Sequence, residues 1–149
     1  MVPARLNVVT LVSEDVPAMR AFYEALGWTP AMPPREDFQR FALAGAQLTL
    51  WTSAEADAVV GEPLRARGRT FRGFTLAVAV DRPERVDEAL EAARSGGAEV
   101  LTEPANEEWG GRSANFADPD GNVWEIVHIP GTALHEDGAL LWPPVDPAA

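Results

Sequence analysis

The spacing of hydrophobic and polar positions changes period several times along this chain, and each change marks an element. Residues 4–12, ARLNVVTLV, are rich in β-branched side chains and predict a strand. Residues 13–28, SEDVPAMRAFYEALGW, switch to helical spacing, with Val16, Met19, Phe22, Tyr23 and Leu26 on one face. Asp15 stands where an N-cap belongs, Pro17 in the first turn and Gly27 at the stop. QRFALAG and AQLTLWTS predict two more strands joined by a turn at Gly45. Residues 53–71 predict a connector, which carries Arg65, Arg67 and Arg69, with Arg72 just beyond.

The order then starts again. FTLAVAV (74–80) predicts a strand, and DRPERVDEALEAARSGG (81–97) a helix with Asp81 as cap, Pro83 in the first turn and Glu84 completing a capping box. AEVLTEP, RSANFAD and NVWEIVHI (122–129) predict three strands, the last entered through the D-P-D-G turn. From Gly131 onward the tail reads as irregular chain lying over an open sheet edge.

Two β-α-β-β-β halves imply a duplicated module, about residues 5–52 and 72–129 with the connector 53–71 between them and the tail 131–149 after. Together they predict one α+β domain over residues 1–130. Asp15-Val-Pro matches Asp81-Arg-Pro, and seven residues before each Asp stand Val8 and Phe74. Matching the turn glycines Gly45 and Gly121 sets Thr49 against Glu125 in the closing strands. The repeat therefore predicts four equivalent inward positions: Val8, Thr49, Phe74 and Glu125.

Composition narrows the function. A hydrophobic share of 46% and five Trp describe a globular chain. Zero Cys excludes disulfides, Cys-ligated zinc and thiol catalysis. All 12 basic residues are Arg, so Schiff-base chemistry on lysine is excluded as well. Twelve basic against 23 acidic residues give a net charge of −11, which disfavours nucleic acid and attracts cations. Neither a signal segment nor a long apolar run is evident, so the expectation is a cytoplasmic protein without membrane contact.

In VTLVSEDVPAMRAFYEALGW, LTLW, FRGFTLAVAV and FADPDGNVWEIV the chain resembles the vicinal oxygen chelate superfamily. That superfamily includes glyoxalase I, extradiol dioxygenases and bleomycin-resistance proteins. The resemblance implies paired βαβββ modules curved into an open cup around a ligand cavity, commonly in a homodimer. Metal-using members set a His, Glu or Gln at each of the four inward positions. Val8, Thr49 and Phe74 break that pattern and leave Glu125, so neither a metal nor another cofactor is expected.

The metal-free, bleomycin-resistance-like branch carries an acidic-x-x-Trp-Gly segment before a D-P-x-G-N turn. EEWGGR before DPDGN is similar, which makes Trp109 the stacking residue by resemblance. Trp51 and Phe74 are the expected further walls, with Thr49 and Glu125 as polar contacts. The first strand departs from that branch, with Val8 where the drug-binding relatives have proline. The resemblance implies capture of a planar, possibly cationic small molecule, as in antibiotic resistance by sequestration. The alternative is a lyase, isomerase or dioxygenase-type enzyme using Glu125 as acid or base, or an unforeseen metal. His128, three residues beyond Glu125, has opposite strand parity and is not expected to pair with it. Ser113 has no base at a telling spacing, and His135 stands in the tail.

Overall fold

The computed structural model describes residues 6–60 and 73–142. Strand β1 (Val8–Ser13) ends at a buried serine whose Oγ accepts the Asp15 amide at 3.0 Å and turns the chain into helix α1 (Val16–Ala25). Asp15 caps that helix, its Oδ1 accepting from the Ala18 amide at 2.9 Å. Pro17 fits the first turn, where a backbone N–H has no intrahelical partner to lose. Val16, Met19, Phe22 and Tyr23 are buried along one face, and Leu26 is half-buried against the same core.

Strands β2 (Phe38–Leu43) and β3 (Ala46–Thr52) form the expected hairpin, with Gly45 at φ +72. β3 also runs parallel to β1, giving the order β1-β3-β2. The first half is therefore βαββ rather than the full βαβββ. Its missing strand is reduced to one antiparallel bridge between Pro30 and Phe41. The segment there holds Pro30, Pro33 and Pro34, each lacking the N–H that a ladder needs.

The connector opens with a helix. Residues from Ser53 form helix α2 (Ser53–Val60), with Thr52 Oγ1 accepting the Glu55 amide at 3.3 Å. Arg65, Arg67, Arg69 and Arg72 lie outside the described residues.

The second half is complete: β4 (Leu76–Ala79), α3 (Glu84–Ser95), β5 (Glu99–Asn106), β6 (Arg112–Ala117) and β7 (Val123–His128). Its sheet runs β4-β7-β6-β5, with β4 parallel to β7 and the rest antiparallel. Helix α3 begins later than the capping pattern predicts. Its N-cap is Pro83, no side chain caps it, and Asp81 lies upstream. The first turn instead has Glu84 and Asp87, and the last turn Arg94, charges that complement the helix dipole.

One core joins the halves. Leu11, Met19, Phe41, Leu50, Leu90 and Ile126 pack together around Tyr23 and Trp124. The Tyr23 ring stacks on Trp28 at 5.0 Å and meets Trp124 edge-on at 5.9 Å. The architecture is α+β: among the described residues two open mixed sheets and a two-stranded hairpin, with no closed barrel. No described helix is long and apolar enough to cross a membrane.

Over its described residues, 131–142, the tail is not irregular. Strands β8 (Ala133–Leu134) and β9 (Leu140–Leu141) form a small hairpin closed by His135 N–H to Ala139 O at 2.9 Å. Its turn rests on the β2–β3 turn, since a Cβ added to Gly138 would lie 3.0 Å from Ala44 Cβ.

Candidate functional site

Alternation decides which side chains meet the helices and which face away. On β7, Trp124 and Ile126 enter the core, so Glu125 and Val127 project from the other face. The parallel register sets Ala77 beside Glu125 and Ala79 beside Val127. On the opposite flank Asn115 stands level with Glu125 and Ser113 with Val127.

A cavity of about 670 Å³ opens over this face. Glu125, Ala77 and Ala79 line it from the sheet, and Leu140 and Trp142 from the tail hairpin. Trp109 and Trp142 border it with 54% and 65% of their surface exposed. Glu125 is half-buried, and among the described residues no hydrogen bond or ion pair reaches its carboxylate.

Trp109 reaches the cavity from a tight turn. Gly110 N–H donates to Glu107 O at 2.9 Å and Glu107 N–H to Gly111 O at 2.9 Å, with Gly110 at φ +91. The indole then lies against Gly111, where a Cβ would fall 1.9 Å from ring atoms Cη2 and Cζ3. Ser113 Oγ donates to Glu107 Oε1 at 2.6 Å and ties this turn to β6. Ser113 thus has a carboxylate partner that positions the turn, and no histidine bonds to it among the described residues. His128 stands level with Arg112, whose guanidinium grips Asp87 of α3 through two 2.7 Å hydrogen bonds. That is the helix side of the sheet, so a Glu125–His128 dyad does not form.

The model of the glyoxalase/bleomycin resistance protein/dioxygenase superfamily matches residues 5–126. The chain belongs to this superfamily. A glyoxalase-related enzyme from Fulvimarina pelagi is similar with a TM-score of 0.85 at 26% identity, over 95% of this chain and 100% of its own. A glyoxalase/bleomycin resistance protein/dioxygenase from Nocardioides follows the same fold with a TM-score of 0.72 at 29% identity, covering 86% and 85%. Lactoylglutathione lyase from Agrobacterium tumefaciens shares the fold alone, with a TM-score of 0.64 at 22% identity over 85% and 94%. No curated protein matches the sequence.

Within the superfamily fold, the four positions expected from the repeat do not converge. Thr49 is level with Thr10, not Val8, and the two hydroxyls bond each other at 2.8 Å. Thr49 is only 6% exposed, while Val8 stands level with Gln47. Trp51 is half-buried against Phe38 on the same sheet at 6.3 Å. Neither Thr49 nor Trp51 lines the Glu125 cavity.

Phe74 also misses it. It precedes β4, and alternation carried back from Leu76 assigns it to the helix side, with Thr75 on Glu125's side. The slip has a physical origin. Thr10, level with Thr49, lies five residues before Asp15, whereas Ala77, level with Glu125, lies four before Asp81, so an equal count back from the two aspartates slips by one residue and exchanges the faces.

The residues that stand level across the parallel pairs are Thr10 with Thr49 and Ala77 with Glu125. Two mutually bonded hydroxyls, one methyl group and one carboxylate do not fit the superfamily's metal centre. Among the described residues no three His, Asp or Glu side chains gather to hold a metal ion. Of the expected ligand contacts the structure unites Trp109 and Glu125. It adds Trp142, whose signal in the sequence was the apolar ALLW run within a polar tail.

Proposed function

We propose that this superfamily member captures a planar organic cation in the Glu125 cavity and holds it without chemical conversion, as a sequestering resistance protein does. The observation that carries the reading is a half-buried carboxylate, unpartnered among the described residues, in a cavity bordered by two exposed indoles. An indole face attracts flat aromatics and cations, and a partly dehydrated carboxylate attracts positive charge more strongly than one in bulk water. A cavity of about 670 Å³ lies within the usual range for organic ligands. The net charge of −11 adds a favourable field.

The test is calorimetric titration with N-methylquinolinium, a flat cation with no leaving group. One-to-one binding weakened about tenfold by Trp109→Ala and by Glu125→Gln is expected. Indifference to both substitutions removes the site from consideration.

A second reading is an enzyme of the same superfamily with Glu125 as acid or base. It is favoured by the uncommitted carboxylate and by the likeness to a protein described as a glyoxalase-related enzyme. Under that reading Glu125→Gln abolishes turnover and merely weakens binding. The expected homodimer stays with the proposal, supported by exposed Leu6, Val8 and Phe74, and sedimentation velocity checks it.

A further inference from the structure

A second cavity, of about 330 Å³, runs between the two sheets. Trp28, Leu43, Leu48, Leu76 and Trp124 give it apolar walls, and among the described residues Gln47 is its one non-aromatic polar side chain and no ionisable group lines it. It is no separate compartment, because Ala44, Ala77, Ala79 and Gly138 line both this cleft and the Glu125 cavity. The shared boundary thus has no side chain larger than a methyl group. It follows edge strand β4, whose Ala77 and Ala79 face the Glu125 side while Leu76 and Val78 line the cleft.

Resting on the capture reading above, we propose that the ligand is an amphiphilic cation spanning both chambers. Its flat charged head sits between Trp109 and Trp142 over Glu125. A slim apolar arm passes the alanine–glycine neck and lies in the inter-sheet cleft. The division of chemistry supports this arrangement. Charge and open indole faces are confined to one chamber, and the other offers only hydrocarbon, indole and one amide. An unbranched alkyl or narrow aryl arm suits this neck, because Leu or Phe at Ala77 or Ala79 would fill the boundary that the two cavities share. A second charge on the arm is disfavoured, because no described residue of the cleft would offset its lost hydration.

The probes are N-methyl-, N-butyl- and N-hexylquinolinium, titrated calorimetrically into the whole protein and into Ala46→Leu. Ala46 lines the cleft and not the Glu125 cavity. The wild-type affinity is expected to rise with arm length, by up to about fourfold per buried methylene. In Ala46→Leu the ratio of hexyl to methyl affinity is expected to fall towards one. A flat wild-type series, with N-methylquinolinium still bound in a Glu125-dependent way, overturns the two-chamber ligand and leaves the capture site standing. A series that rises equally in both proteins overturns it too, since the arm then lies elsewhere. Loss of any Glu125-dependent binding of the methyl compound removes the capture reading itself, and this inference with it.

Discussion

The phenol of Tyr23 donates a 2.7 Å hydrogen bond to Asp118 Oδ2, linking helix α1 of the first half to the D-P-D-G turn of the second. Asp118 organises that turn: its Oδ1 accepts the Asn122 amide at 2.8 Å and the Asp120 amide at 3.1 Å, and its Oδ2 accepts Asn122 Nδ2 at 2.8 Å. Both partners are buried, Tyr23 at 0% and Asp118 at 1% exposure. The turn motif is thus structural, and its aspartate belongs to the junction between the halves.

Tyr23→Phe should therefore destabilise the fold while sparing its shape. The ring's stack on Trp28 survives, but a buried carboxylate oxygen loses one donor, at a penalty of about 2 kcal/mol. Urea unfolding should show a lower midpoint with an unchanged slope. An unchanged midpoint would mean that water replaces the phenol at no loss.

The same contact fixes an alkaline limit. Burial first, then the charge of Asp118 and the hydrogen bond to it, hold the Tyr23 pKa well above its ordinary value of 10.0. Its raised pKa means the folded state retains a proton that the unfolded state releases. Stability is thus unaffected below about pH 10 and falls above it, by up to about 1.4 kcal/mol per pH unit. The sequence has one Tyr, no Lys and no Cys, so Tyr23 is the only side chain expected to titrate in the window just above pH 10. Unfolding curves there should converge for wild type and Tyr23→Phe as pH rises, and parallel curves would count against the assignment.

Gly111 is predicted to be intolerant of even a methyl group. A Cβ at that position would meet the Trp109 ring at 1.9 Å and the His128 carbonyl oxygen at 2.7 Å. The ring can swing away, whereas the backbone of β7 cannot move without disturbing the ladder that carries Glu125. Gly111→Ala should lose about 1–3 kcal/mol of stability and also weaken N-methylquinolinium binding, because the indole is displaced. Wild-type affinity in this variant would show that Trp109 takes no part in the site.

What could be read from sequence follows from how many signals agreed. Helix α1 was legible because Asp15, Pro17 and the spacing from Val16 to Tyr23 all pointed to one element. Glu125 was legible as a site residue because a carboxylate interrupts an otherwise apolar strand. The faces of β4 were not, since the matching Asp15 and Asp81 suggest equal spacing, while Thr10 stands five residues before one and Ala77 four before the other. Helix α2 and the first half's lost strand escaped the repeat because each breaks the symmetry on which it relied. The tail's strands have only two residues each, too few for a period, so Trp142 gave no signal beyond its apolar neighbours.

Trp142 therefore offers the sharpest separation of structure from function. Its side chain is 65% exposed, so replacement by Ala removes little buried area and should change stability by no more than about 0.5 kcal/mol. If the ring forms a wall for a flat cation, the same substitution removes stacking and cation–π contact of about 1 kcal/mol, or about fivefold in affinity. Trp109→Ala in the same background should weaken binding further, and non-additivity between the two would indicate that both rings hold one ligand. The measurement is a double-mutant cycle by calorimetry with N-methylquinolinium, alongside thermal unfolding of each variant. A loss of stability without a loss of affinity would assign Trp142 to anchoring the β8–β9 hairpin, and leave Trp109 as the aromatic contact above Glu125.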